Sequence, residues 1–128
     1  MQYALLIYES PEDFASRSTD QADEPYIGAW RTYYRSMVDA GVYAGGQALD
    51  IPETRTTVLH AAGKRQIQDG PYANTKEQLG GLLLIDLPSL DAALEWAARC
   101  PAAVHGAVEV RPLAPGVQLR VMSPCADS

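Results

Sequence analysis

The chain is poor in the residues that most often bind metals or form disulfide bonds. Its 128 residues include two cysteines, Cys100 and Cys125, and two histidines, His60 and His105. Two cysteines do not make a disulfide framework, and these four side chains lack the close spacing of a zinc site. We therefore expect two free thiols, a reducing cytoplasmic compartment and no bound metal.

Positive charge and long apolar runs are also scarce. The chain has two lysines and eight arginines, a net charge of −6 and no basic run, which makes it a poor candidate for binding nucleic acid. No apolar run approaches the ~20 residues that span a bilayer, and the N-terminus lacks the pattern of a signal peptide. These absences predict a cytoplasmic protein with no nucleic-acid or membrane partner.

Two motifs that would indicate common chemistry are missing. The glycine pairs Gly45-Gly46 and Gly80-Gly81 do not form a GxGxxG fingerprint or a phosphate-binding loop. No Gly-x-Ser-x-Gly nucleophile elbow occurs either. We therefore expect no nucleotide cofactor, and no other cofactor is indicated.

The apolar pattern that is present predicts one α+β domain. Hydrophobic residues make up 47% of the chain, enough for a core. The predicted elements are a strand over 2–8, a helix over 25–40, a strand over 42–49, a hairpin over 54–69, a strand over 82–87, a helix from 89 that Pro101 ends, and a strand over 107–113. This order is a ferredoxin-like βαββαβ pattern with an inserted β-hairpin.

The remaining segments are expected to be irregular. Residues 9–23 are polar and predict a long loop with at most one helical turn around Phe14. Residues 1–113 would form the domain, and 114–128 a C-terminal tail that either frays or adds a short strand over 117–122.

Both predicted helices carry an apolar stripe and a capping residue. Asp23 and Ser89 precede them and are the expected caps. The expected buried residues are Ile27, Trp30, Tyr34, Met37 and Val38 in the first helix, and Leu90, Ala93, Leu94 and Ala97 in the second.

The strands over 2–8 and 82–87 are apolar on both faces, which predicts that both faces are covered. Two helices can cover only one face of a sheet. An exposed apolar face usually marks an interface, so we expect a homodimer that packs sheet to sheet.

The least ordinary stretch runs from Asp69 to Gly81 and reads Asp-Gly-Pro-Tyr-Ala-Asn-Thr-Lys-Glu-Gln-Leu-Gly-Gly. Asp69-Gly70-Pro71 is turn chemistry, and Asn74 or Thr75 would suit the cap of a short helical turn. A glycine pair at the entrance to a strand predicts a bulge or a close approach of another backbone or a ligand.

This stretch resembles the signature of the YCII-related family in its DGPF-domain branch, with Tyr72 where Phe is usual. The similarity extends to Ala44-Gly45-Gly46-Gln47-Ala48-Leu49, to Glu95-Trp96-Ala97-Ala98-Arg99 and to Val108-Glu109-Val110-Arg111-Pro112. The resemblance implies a dimeric α+β barrel. Some YCII proteins resemble enzymes with a His–Asp pair in the N-terminal half, but no histidine precedes His60 here, so that pair is not carried over.

The candidate site lies between the signature and the last strand. His105, Asp69 and Tyr72 are the catalytic candidates, with His105 or Tyr72 handling a proton and Asp69 fixing the loop. The ligand-binding candidates, for a small polar or anionic molecule, are Arg111, Glu109, Lys76 and Thr75. The alternatives are a structural corner at the signature, an exposed His105 and a surface ion pair on the last strand. His60 is expected to be merely exposed.

Two functions remain open from the sequence. One is a small-molecule-binding or regulatory module, since DGPF domains resemble partners found beside alternative sigma factors. The other is a cofactor-independent enzyme of the isomerase or lyase type, which transfers a proton on a small polar metabolite. This second function rests on analogy of fold with muconolactone-isomerase-like and dehydrochlorinase-like dimers.

Overall fold

The structure is a computed structural model that describes residues 1–17, 24–70 and 75–114. The strands are β1 (Gln2–Glu9), β2 (Tyr43–Ala48), β3 (Thr56–Ala61), β4 (Lys64–Asp69), β5 (Gln78–Asp86) and β6 (Ala107–Pro112). The helices are α1 (Pro11–Arg17), α2 (Pro25–Asp39) and α3 (Leu90–Ala98), with short 3-10 turns at Pro52–Thr54 and Pro101–Ala103. The predicted tail from residue 115, Cys125, Tyr72 and the predicted cap Asp23 lie outside the described residues.

Four antiparallel strands form the main sheet in the order β2-β5-β1-β6. This order confirms the ferredoxin-like α+β fold, and it places the two strands that are apolar on both faces at the centre. Tyr3, Leu5 and Ile7 of β1 point to the helices and are buried. The alternate residues face the other way, where Leu6 lies beside Leu82 and stays half-buried.

The buried stripe of α2 differs from the predicted one. Tyr33 and Met37 are buried, whereas Tyr34 and Val38 are about half exposed, at 49% and 47%. Tyr26, Trp30, Tyr33 and Met37 follow the helical repeat more closely, so they face the sheet together. The Tyr33 hydroxyl donates to the Trp96 carbonyl at 2.7 Å and joins α2 to α3. The helix begins after Glu24, whose carboxylate accepts from the Ile27 N–H at 2.8 Å.

The predicted stripe of α3 is half right. Ala93 and Ala97 are buried against the sheet, but Leu90 and Leu94 are exposed at 47% and 48%. Small alanine side chains let the helix lie close to the strands, and the leucines are turned outward as a result. Ser89 caps the helix as expected, because its hydroxyl accepts from the Ala92 N–H at 3.2 Å.

A helix replaces the first part of the loop expected after β1. Residues Pro11–Arg17 form α1, about two turns long rather than one. The Ser10 hydroxyl accepts from the Asp13 N–H at 3.1 Å and caps it. The segment is polar overall, but the side chains of Asp13 and Phe14 are buried and pack α1 against the rest of the domain.

The predicted hairpin forms a separate two-stranded sheet of β3 and β4. Ala62 and Gly63 both have positive φ, at 52° and 76°, which is typical of the tight turns that join antiparallel strands. Val58 and Ile67 face each other across it and are 55% and 58% exposed. One more backbone hydrogen bond closes the open end of the hairpin: the Gly70 N–H, after β4, donates at 2.8 Å to the carbonyl of Arg55, which precedes β3.

The Gly80-Gly81 pair lies at a bulge, as predicted. The pairing of β1 with β5 shifts by one residue between Ile7 and Tyr8, opposite Gly80. A Cβ on Gly80 would overlap the carboxylate of Glu9 and lie 3.1 Å from Phe14 Cζ. The helical turn expected over 75–78 is wrong, because β5 already begins at Gln78.

No helix in the described segments is long and apolar enough to cross a bilayer.

Replacing Gly80 by alanine tests the close approach at the bulge. We expect Gly80→Ala to lower the free energy of unfolding by about 2–3 kcal/mol, because the new methyl group must displace buried atoms. Gly28→Ala is the matched control. Gly28 lies in α2 with nothing within 4 Å of a Cβ, so this change should stabilise by about 0.5–1 kcal/mol. Urea unfolding measures both; equal stability of the two variants would contradict the crowding at Gly80.

Candidate functional site

A cavity of about 480 Å³, the main pocket, lies between the sheet and α2. Tyr26 and Trp30 of α2 form one wall, and their rings meet edge to face with centroids 6.4 Å apart. Ile7 and Leu83 of the central strands contribute apolar surface opposite them. The pocket is therefore apolar and aromatic over most of its lining, which is typical of small-molecule sites.

The floor of the main pocket is largely backbone. Gly46, Gly80 and Gly81 line it. A Cβ on Gly46 would lie 2.8 Å from Leu83 Cδ2, and one on Gly81 would lie 2.8 Å from the Gln47 carbonyl oxygen. A side chain at either position would therefore require neighbouring atoms to move, and the glycines leave this part of the lining as bare backbone.

The polar end of the pocket is built around the buried carboxylate of Glu9. Oε1 accepts from Arg17 Nη1 at 3.0 Å, and Oε2 accepts from the Tyr26 hydroxyl. Arg17 also donates to the Leu49 carbonyl, and its guanidinium lies over the Phe14 ring at 5.1 Å. A buried carboxylate needs such partners, and Arg17 balances the charge of Glu9.

The phenol of Tyr26 is held in its neutral form. Burial raises its pKa well above the ordinary value, and the hydrogen bond to Glu9 raises the pKa further. The hydroxyl therefore stays a proton donor over the physiological pH range. Because the single Tyr26 proton is donated to Glu9, the Glu9 carboxylate and the Tyr26 oxygen both offer acceptors to a polar group that enters the pocket.

A second polar pair joins residues that are 92 positions apart. Asp13 of α1 is buried, and its Oδ1 lies 3.2 Å from Nδ1 of His105, which is 51% exposed. Among the described residues, Asp13 Oδ2 has no hydrogen-bond partner although it is buried. The negative charge of Asp13 also contributes, as the smallest cause, to the raised pKa of Tyr26, but neither Asp13 nor His105 lines the main pocket.

The loop before β6 brings His105 to α1. Gly106 follows His105, and its N–H donates to the Ala102 carbonyl at 2.8 Å. A Cβ on Gly106 would overlap the Tyr8 carbonyl oxygen, so only glycine lets the loop pass this close to β1.

The residues predicted for the site are not gathered in one place. Glu109 and Arg111 pair with each other at 3.2 Å on the sheet face opposite the helices, and both are exposed. Asp69 is exposed at the end of β4, and His60 is exposed on β3, as expected for it. Their catalytic and binding roles, like that of His105, stay predictions.

The signature residues after Asp69 have mainly structural contacts in the described chain. The Thr75 hydroxyl donates to the Glu77 carbonyl at 2.6 Å. Lys76 lines a second cavity, separate from the main pocket. Tyr72 lies outside the described residues.

Sequence reasoning missed four residues of the polar end, namely Glu9, Asp13, Arg17 and Tyr26. One signal was available for Glu9. The inward residues of β1 alternate as Tyr3, Leu5 and Ile7, and the same period places Glu9 on the buried face. No local pattern could have paired Asp13 with His105, because only the folded topology brings them together.

The described residues contain no group of three or more His, Cys, Asp or Glu side chains that could hold a metal ion. Cys100 is a free thiol, and burial raises its pKa to about 12. It is therefore protonated in the folded protein at neutral pH, which makes it a poor nucleophile.

The fold and the pocket define a ferredoxin-like α+β protein with a cavity between its sheet and helices. The YCII-related domain family matches residues 1–116. The chain is 41% identical over 117 residues to uncharacterized protein R00369 of Rhizobium meliloti (strain 1021), covering 89% of this chain and 93% of that protein. The chain therefore belongs to the YCII-related family, as the sequence resemblance predicted.

A solved structure supports the same fold. The 5-chloro-2-hydroxyhydroquinone dehydrochlorinase of Burkholderia phenoliruptrix AC1100, in complex with 2,5-dihydroxybenzoquinone, matches with a TM-score of 0.52. The two chains are 15% identical, and the match covers 91% of this chain and 96% of that one. At this identity the likeness shows the fold alone.

Proposed function

We propose that this YCII-related protein binds a small molecule in the main pocket. The molecule is a flat, largely apolar ring, and it is held through a hydroxyl group that the ring carries. The observation that carries the proposal is the Glu9–Tyr26 pair at the polar end of an aromatic pocket. Of the two functions that the sequence leaves open, this proposal corresponds to the small-molecule-binding or regulatory module.

The shape of the pocket supports a flat ligand. A ring fits between the Trp30 side chain and a floor without side chains at Gly46 and Gly81. A ring hydroxyl would donate to the Glu9 carboxylate or to the Tyr26 oxygen, whose own proton is held by Glu9. A few fixed polar groups in an apolar cavity give a ligand its orientation.

The structural neighbour supports the choice of probe. It was solved with 2,5-dihydroxybenzoquinone, a small ring with two hydroxyl groups. Resorcinol, benzene-1,3-diol, is an uncharged probe of the same size class, and cyclohexane-1,3-diol is its non-planar counterpart.

Calorimetric titration tests the binding proposal. We expect resorcinol to bind at least tenfold more tightly than cyclohexane-1,3-diol. Tyr26→Phe should weaken resorcinol binding about tenfold, because one hydrogen bond of about 1.4 kcal/mol is lost. Tyr34→Phe is the matched control, since Tyr34 lies on the exposed side of α2. Equal affinity for both diols, or equal binding by both variants, would contradict the proposed ligand class.

A second candidate is a cofactor-independent enzyme that transfers a proton on the ring. The specific observation is the Asp13–His105 pair, whose buried Oδ2 lacks a donor among the described residues. Neither residue lines the main pocket, so in this reaction the ring lies against the exposed face of His105. His105 removes the hydroxyl proton, and a ring carbon beside the hydroxyl takes up a proton from water to give the keto tautomer. Reversal of both steps restores the aromatic ring.

Hydrogen exchange on the ring separates this enzyme from a binding module. In D₂O, proton NMR should show faster loss of the resorcinol ring signals with the protein than in buffer. We expect Asp13→Asn and His105→Gln each to slow this exchange by about 10²-fold or more. His60→Gln should leave it unchanged, because His60 is exposed on the hairpin. Exchange no faster than in buffer would leave binding as the function.

We also propose that the protein is a homodimer that packs through the open sheet face. Leu6, Leu82 and Leu84 lie on this face and are half-buried within one chain. A monomer would leave them exposed beside the Glu109–Arg111 pair, and contiguous apolar surface favours association.

Light scattering across a dilution series tests the dimer. We expect the dimer mass at micromolar concentration. Leu84→Glu should give a folded monomer, because a carboxylate on this face would be buried without a partner. Ile67→Glu, on the exposed hairpin, should remain dimeric. A wild-type monomer would rule the interface out.

A further inference from the structure

A second cavity, of about 390 Å³, is lined by other residues of α1 and shares none of the lining residues of the main pocket. Pro11 and Phe14 of α1 line it, together with Ile51 and Pro52 at the start of the short 3-10 turn. These side chains are apolar, so the cavity offers a surface for a hydrocarbon group. Phe14 is itself buried.

Two opposite charges line the same cavity without pairing. Glu53 and Lys76 are both exposed lining residues, and neither forms an ion pair within the described part of the chain. Because they are not in contact with each other, a molecule between them can meet both. An apolar surface bordered by one anion and one cation is complementary to a zwitterion with an apolar body.

The polar wall beside Lys76 is fixed by hydrogen bonds. The Gln78 side chain accepts from Arg55 Nη1 and donates to the Thr75 carbonyl. The Arg55 N–H also donates to the Pro52 carbonyl at 3.1 Å. Arg55 does not line the cavity itself, and its contact with Gln78 fixes the position of that lining side chain.

We propose that the second cavity binds a free α-amino acid with an aliphatic side chain. Lys76 holds its carboxylate, Glu53 holds its ammonium group, and the aliphatic side chain rests on Phe14, Pro11 and Ile51. This assigns a binding role to Lys76, a signature residue that the main pocket does not use. The site stands apart from the main pocket, so it does not depend on the function proposed there.

Three matched ligands test the proposal by calorimetric titration of the full chain. L-leucine carries both charges, 4-methylpentanoate lacks the ammonium group, and 3-methylbutylamine lacks the carboxylate. We expect leucine to bind at least tenfold more tightly than either of the other two. No binding of leucine at millimolar concentration would overturn the proposal, and so would binding of 4-methylpentanoate as tight as that of leucine.

Variants then assign each charge. Lys76→Gln should weaken leucine binding about tenfold and leave 3-methylbutylamine unchanged, and Glu53→Gln should weaken leucine but leave 4-methylpentanoate unchanged. Lys64→Gln and Glu95→Gln are the charge-matched controls, on exposed positions that do not line the cavity. All four side chains are exposed, so the variants keep the core intact. Leucine binding that both Lys76→Gln and Glu53→Gln retain would overturn the assignment.

Discussion

The buried carboxylate of Glu9 is the constraint on which the rest of this molecule depends. A charge at the end of a central strand must be neutralised and hydrogen-bonded, and three separate segments meet this need. Arg17 ties α1 to the sheet, and Tyr26 ties the first turn of α2 to it. Gly80 has no side chain and so leaves room for the carboxylate. These segments meet at one charge, and together they form the polar end of the main pocket.

Helix α1 contributes lining residues to two cavities of different character. Phe14 faces the second cavity, while Arg17, three residues later, faces the main pocket. The two side chains also touch, because the Arg17 guanidinium lies over the Phe14 ring. A displacement of α1 would therefore alter both cavities together. The family signature divides between them in the same way, with Gly80 and Gly81 in the main pocket and Lys76 in the second cavity.

The fold was predictable from the sequence where the signal was local and periodic. The apolar faces of β1 and β5 indicated the central pair, and the glycine pair indicated the bulge beside Glu9. The buried stripe of α2 was predicted to include Tyr34, but its neighbour Tyr33 is buried instead. Both aromatic residues suit an apolar stripe, and only packing decides between them. It failed for α1 because that helix depends on Phe14, Asp13 and the Ser10 cap rather than on a repeated apolar pattern.

The site was harder to predict because its contacts join distant parts of the chain. Glu109 and Arg111 were placed correctly on the face away from the helices, since alternation along a strand determines the side. Asp13 and His105 could not be paired in advance. Their contact requires the loop at Gly106 to pass close to β1. Neither Asp13 nor His105 belongs to a sequence pattern that would predict this contact.

The separate sheet of β3 and β4 gives the domain two levels of cooperativity. Its ladder shares no hydrogen bond with the four-stranded sheet in the described chain, and its facing Val58 and Ile67 are largely in water. Little apolar burial is lost when such a hairpin opens, so it can unfold while the core stays closed. Amide protons of β3 and β4 would then exchange with solvent through local opening of the hairpin. Exchange of the amide protons of β1 and β5 would require global unfolding.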